Sequence, residues 1–89
     1  MSPRPKALFA MSPEHLPMLF PEPILSRLSG LVDIDPNLVG TSFTEDARAA
    51  ALAEAEVLVT SWGCPPLDER VLQAAPQLRR VVHALATTA

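Results

Sequence analysis

Ten prolines in 89 residues cut this chain into short lengths, and no other feature limits its fold so strongly. A proline inside a helix removes a hydrogen bond and collides with the preceding turn. In a central strand it deletes a ladder donor. Regular elements must therefore fit between prolines. Ser12 reads as an N-cap with Pro13 at the first helical position, yet Pro17, Pro21 and Pro23 follow closely. The stretch 13–22 is thus expected to hold no more than one broken turn. A continuous helix is expected from near Pro23, with Ile24, Leu25 and Leu28 at helical spacing and Gly30 as its C-terminal residue.

The remaining segments alternate in type. Lys6 to Met11 is a short apolar run, read as a buried strand. Leu31 to Asp35 alternates apolar and acidic residues before Pro36-Asn37 turns the chain, which predicts a second strand with one wet face. Ser42-Phe43-Thr44-Glu45 matches a capping box, with Glu45 and Asp46 bringing negative charge to a helix start. Alanines at 47, 49, 50, 51, 53 and 55 then specify a helix. Val57 to Thr60 is nearly continuous apolar sequence, as in a strand covered on both faces. Asp68 can cap a short helix that buries Val71, Leu72 and Ala75 and stops at Pro76, and Leu78 to Ala84 reads as a fourth strand. The order βαβαβαβ predicts an α/β fold with a four-stranded parallel sheet and flanking helices.

Aromatics make up only 4% of the chain, so the single core that 89 residues can build must be aliphatic. The net charge is −3 and the basic residues are scattered, Arg79-Arg80 being the nearest approach to a cluster. Phosphate backbones need clustered cations, which argues against nucleic acid as a partner. One cysteine forms no internal disulfide, which suits a reducing, cytoplasmic setting. Arg4 and Lys6 precede only five apolar residues, Ala7 to Met11, too short for a secretory signal. No run is long enough to cross a bilayer.

The most distinctive string is Ser61-Trp62-Gly63-Cys64, directly after the third predicted strand and before Pro65-Pro66. In parallel sheets ligands sit beyond the carboxyl ends of strands. Gly63 can take positive φ or admit a ligand close to the backbone, and consecutive amides there could hold a carboxylate. A plain tight turn with Trp62 capping the core edge explains the same residues. Cys64 as a nucleophile would need a base, and only His15 and His83 are available, with no Asp or Asn to orient either. An unreactive thiol is the reading. Two histidines and one cysteine match no metal-ligand spacing. Glu14-His15 reads as a solvated helix start, and Asp33 and Asp35 as a solvent-facing pair. Gly30, Gly40 and Gly63 are isolated, so no glycine-rich phosphate loop can be drawn.

Three segments together resemble one family: Ala7 to Met11, Glu54 to Asp68 (EAEVLVTSWGCPPLD), and Val71 to Ala84 (VLQAAPQLRRVVHA). They are similar to the N-terminal part of the substrate domain of NAD-dependent D-isomer-specific 2-hydroxyacid dehydrogenases of an actinobacterial type. The resemblance spans roughly residues 6 to 84. It implies a flavodoxin-like half-domain over 1–84, with Ser61, Trp62 and Gly63 lining a cleft for a small carboxylate substrate. The family's loop after the next strand carries a glycine soon after the matching His-Ala. Here Leu85-Ala86-Thr87-Thr88-Ala89 follows instead and is read as a divergent tail.

Nothing in these residues matches the family's Rossmann glycine loop or its catalytic arginine, glutamate and histidine, and His83 does not match that histidine's motif. The resemblance therefore implies a fragment of an oxidoreductase that acts on 2-hydroxy or 2-keto acids. NAD or NADP would serve the full-length family, but no cofactor is expected to bind this chain, which should be inactive alone. Apolar surface left uncovered would favour self-association. The alternative is a small free-standing α/β module that binds an anionic ligand or a partner. A third reading is the product of a damaged gene.

Overall fold

The computed structural model describes residues 4–83. At its centre is a three-stranded parallel sheet in the order β1 (Ala7–Ala10), β2 (Val57–Thr60), β3 (Arg80–His83). In register, Ala7 lies beside Val57, and Val57 beside Arg80. Four α-helices accompany it: α1 (Leu16–Leu19), α2 (Glu22–Leu31), α3 (Asp46–Glu54) and α4 (Glu69–Ala74).

The two inner strands show why their sequences are apolar at consecutive positions. Leu8 and Leu58 face one side of the sheet and join Leu52, Ala55 and Ala75 from the α3 and α4 region. Phe9 and Val59 face the other side, with Met11, Leu16 and Ile34, and Leu19, Phe20, Leu25 and Leu28 close over them. Helices thus cover both faces of β1 and β2, and Leu8, Phe9 and Leu58 are almost wholly buried. Burying one such side chain contributes about 1.5–3 kcal/mol. Phe9 and Phe20 meet at a tilt, ring centroids 5.4 Å apart.

The prolines sit where their missing N–H costs least. Pro13 opens a 3-10 turn (Pro13–His15), Pro17 lies in the first turn of α1, and Pro23 in the first turn of α2. The stretch 13–22 is therefore two single turns placed end to end rather than one helix. Asp68 caps α4 as expected, its side chain accepting from Val71 N at 3.1 Å.

Five expectations fail. The sheet has three strands, not four, because the 31–35 segment does not become a strand. Helix α2 runs on through Leu31, and Pro36 opens a 3-10 turn (Pro36–Leu38) capped by Asp35. Only a short extended stretch remains between them, enough for one parallel bridge, Lys6 to Asp33. Its alternation is nonetheless real: Asp33 and Asp35 are exposed while Ile34 is buried. Gly30 does not end α2. It lies inside the last turn, and extended Val32 is the C-cap. The capping box does not form, since α3 begins at Asp46 after Glu45, and Ser42 Oγ instead accepts from Thr44 N. Leu72 is exposed rather than buried, because the short α4 turns only Val71 and Ala75 inward. The last strand is shorter than the predicted 78–84. Ala84 and the 85–89 tail lie outside the described residues.

Candidate functional site

Three loops converge at the carboxyl end of β2. Ser61 N donates to Ala10 O at 3.4 Å, and Cys64 N donates back to Ser61 O at 3.2 Å, closing a turn. Ser12 N, just past β1, donates to Trp62 O at 2.8 Å. Gly63 has φ of 89°, the one positive φ among the described residues. A Cβ on Gly63 would lie 2.1 Å from Ser12 Oγ, 3.0 Å from Ser12 N and 3.1 Å from Thr41 Cγ2. Glycine is thus required twice, by conformation and by space.

The three residues singled out from sequence are brought together here with distinct surroundings. Ser61 is buried, and its Oγ is the sole buried side-chain polar atom without a hydrogen-bond partner among the described residues. A buried hydroxyl left unpaired costs about 1–3 kcal/mol. Trp62 is 42% exposed and meets the His15 ring edge-on, centroids 5.0 Å apart. Gly63 is the hinge on which both neighbouring loops rest.

Cys64 and His83 do not form a pair. Cys64 Sγ donates to Pro65 O at 3.2 Å, while His83 Nδ1 and Thr60 Oγ1 share a 2.8 Å hydrogen bond that ties β3 to β2. Burial pushes the Cys64 thiol up, and the Arg48 charge opposes this only in part. A raised thiol is the reverse of an activated nucleophile.

Arg48 is the site residue that sequence reasoning missed. It is 2% exposed, and its guanidinium donates to the carbonyls of Leu38, Gly40 and Ser42, the Gly40 contact being 3.1 Å. Gly40 O also accepts from Met11 N at 3.0 Å, so Arg48 anchors the 38–43 loop against the end of β1. The guanidinium lies 5.7 Å from the Phe43 ring centre. Burial lowers its pKa, with Glu45 and Cys64 pulling the other way. A signal existed in the sequence: Arg48, Leu52 and Ala55 are spaced to share the inner stripe of α3. The alanine-rich surroundings concealed it.

Two concavities among the described residues lie elsewhere. One, of about 310 Å³, is an open groove lined by Phe43, Pro65, Pro66 and Val71 with Asp68 and Arg70 at its rim. The other, of about 170 Å³, lies near the start of β1 beside Lys6, Asp33, Asp35 and Glu54. The Ser61–Gly63 turn lines neither. Among the described residues no cluster of three His, Cys, Asp or Glu side chains is placed to hold a metal ion. Among the same residues no helix is long and apolar enough to cross a membrane. Comparisons with protein families, curated proteins and solved structures find no match for this chain.

Chemically, the Ser61–Gly63 lip offers one unpaired buried hydroxyl, a positive-φ glycine turn and a cation set back behind loop carbonyls. It contains no proton-transfer pair and no activated nucleophile.

Proposed function

We propose that the chain is the front part of the substrate domain of an NAD(P)-dependent 2-hydroxyacid dehydrogenase, its Ser61-Trp62-Gly63 lip meeting the substrate carboxylate. The observation that carries this reading is the buried, unpartnered Ser61 hydroxyl beside positive-φ Gly63 at a strand's carboxyl end. Strand order supports it. Counting the Asp33 bridge as a vestigial strand, the sheet runs 33-segment, β1, β2, β3, which is the beginning of a flavodoxin-like order. In this reading the 89 residues supply substrate contacts, while hydride transfer depends on a nucleotide domain and catalytic groups they do not contain. The chain alone therefore oxidises no NADH with a 2-keto acid.

The test is titration with a small 2-keto carboxylate, read by Trp62 fluorescence. Binding is expected to be weak, about 1 mM or weaker, to be lost in Ser61→Ala, and to be absent for the corresponding neutral amide. NADH alone should give no change. No response to carboxylate, or the same response to the amide, would remove the basis of the proposal.

One observation favours the free-standing module instead. Both faces of β2 are covered within the described residues, so a closed core exists without further chain. That reading expects a cooperative thermal transition raised by an anionic ligand other than a 2-keto acid.

A further inference from the structure

The two margins of the sheet differ in a complementary way. At β3 all four residues are exposed, Val81 to 47% and Val82 to 50%. Adjacent valines in a parallel strand suit cover on both faces, yet among the described residues β3 pairs with β2 alone. Arg80 N donates to Glu56 O at 3.1 Å, so Arg80 and Val82 turn their main-chain groups toward β2. Alternation then turns the N–H and C=O of Val81, and the C=O of Arg79, to the open edge.

At the other margin, Asp33 directs both main-chain groups to the β1 segment: Ala7 N donates to Asp33 O at 2.9 Å, and Asp33 N to Pro5 O at 2.8 Å. Its neighbour Ile34 makes no main-chain hydrogen bond among the described residues. Asp33 and Asp35 are exposed on this margin, as Arg79 and Arg80 are on the other. None of the four has an ion-pair partner among the described residues. The levels also agree. Asp33 lies beside Lys6, one step before the Ala7–Val57–Arg80 row, which is the level of Arg79.

We propose that the open edge of β3 docks a second copy of this chain, which adds its 33–35 margin parallel to β3. The register follows from the free groups: Ile34 N–H of one copy donates to Arg79 C=O of the next, and Val81 N–H donates to Ile34 C=O. Asp33 then stands beside Arg79, and Asp35 beside Val81. Arginine on an edge strand ordinarily blocks pairing. It favours pairing only when the incoming strand brings an acid to the matching place, and this chain carries such a strand. The two surfaces are different, so the contact is head-to-tail and a pair of copies keeps one free margin of each kind. Copies add at both ends.

Sedimentation velocity on the full chain, as a function of concentration and salt, tests this. Mean mass should climb steadily with concentration without a dimer plateau, reverse on dilution, and fall as salt screens the Asp33–Arg79 pair. Asp33→Arg alone and Arg79→Glu alone should each reduce association at least tenfold. The combination D33R/R79E should restore it. Urea melts of the variants confirm that each is folded. A monomer at the highest concentration in low salt, a closed dimer indifferent to Asp33→Arg, or folded D33R/R79E that fails to recover would each overturn the proposal.

Discussion

Gly63→Ala tests the idea that the lip is held by one glycine. Two costs follow from the structure. A φ of 89° carrying a Cβ costs about 1–2 kcal/mol. The new methyl also meets Ser12 Oγ at 2.1 Å. That hydroxyl and the exposed Thr41 side chain, whose Cγ2 lies 3.1 Å away, can rotate, but the 3.0 Å contact to Ser12 N is with backbone that cannot. Overpacking of this kind adds about 1–3 kcal/mol. The expected loss is about 3 kcal/mol, roughly a hundredfold in the folded-to-unfolded ratio and a large share of what a chain this short possesses. Urea titration at low protein concentration and high salt, where association is suppressed, measures it. The same substitution in a Ser12→Ala background separates the two costs. There the Oγ contact is gone, and Gly63→Ala should cost about 1 kcal/mol less. A loss below about 0.5 kcal/mol in the native background would refute the strain argument. Equal losses in both backgrounds would refute the Ser12 contact.

Other perturbations test neighbouring parts of the argument. Arg48→Met leaves the Leu38 and Ser42 carbonyls without their donor and Gly40 O with Met11 N alone, and should cost about 2–4 kcal/mol in the same urea assay. It should also slow alkylation of Cys64, since the charge that restrains the thiol's upward shift is gone; unchanged alkylation would separate the two residues. Asp68→Ala should cost about 1 kcal/mol by uncapping α4, with Asp68→Asn recovering most of it. The raised Cys64 thiol sets a pH dependence. The folded state holds this proton more tightly than the unfolded chain, so its contribution is complete below the unfolded thiol's pKa, about 8.5. It is lost as pH rises from there through the higher folded value. Stability should fall on that alkaline limb, and Cys64→Ser should flatten it.

Much of the site's frame was legible from local pattern. The apolar runs at 7–11 and 57–60 became the two buried strands, and the turn after β2 carries the positive-φ glycine that its sequence suggested. What was not legible depends on partners distant in the chain. Ser61 reads as an ordinary turn residue; only the packing of Ala10 and Ser12 around it makes its hydroxyl buried and unpaired. The spacing of Arg48 to Leu52 hints at an inward place, but only the fold brings the 38–43 loop over it to supply carbonyls in place of a counter-ion.

By itself the sequence determined the lengths and kinds of most elements. Prolines bar hydrogen bonding locally, alanine favours helix locally, and Asp68 caps its helix within three residues. Whether a β-capable stretch becomes a strand was decided only by tertiary structure. Residues 32–34 and 80–83 both favour extension. The first obtains a single bridge because α2 and the turn at Pro36 take its neighbours, while the second gains a full partner in β2. A strand is completed by hydrogen bonds to chain far away in sequence, and no local preference encodes which partner arrives.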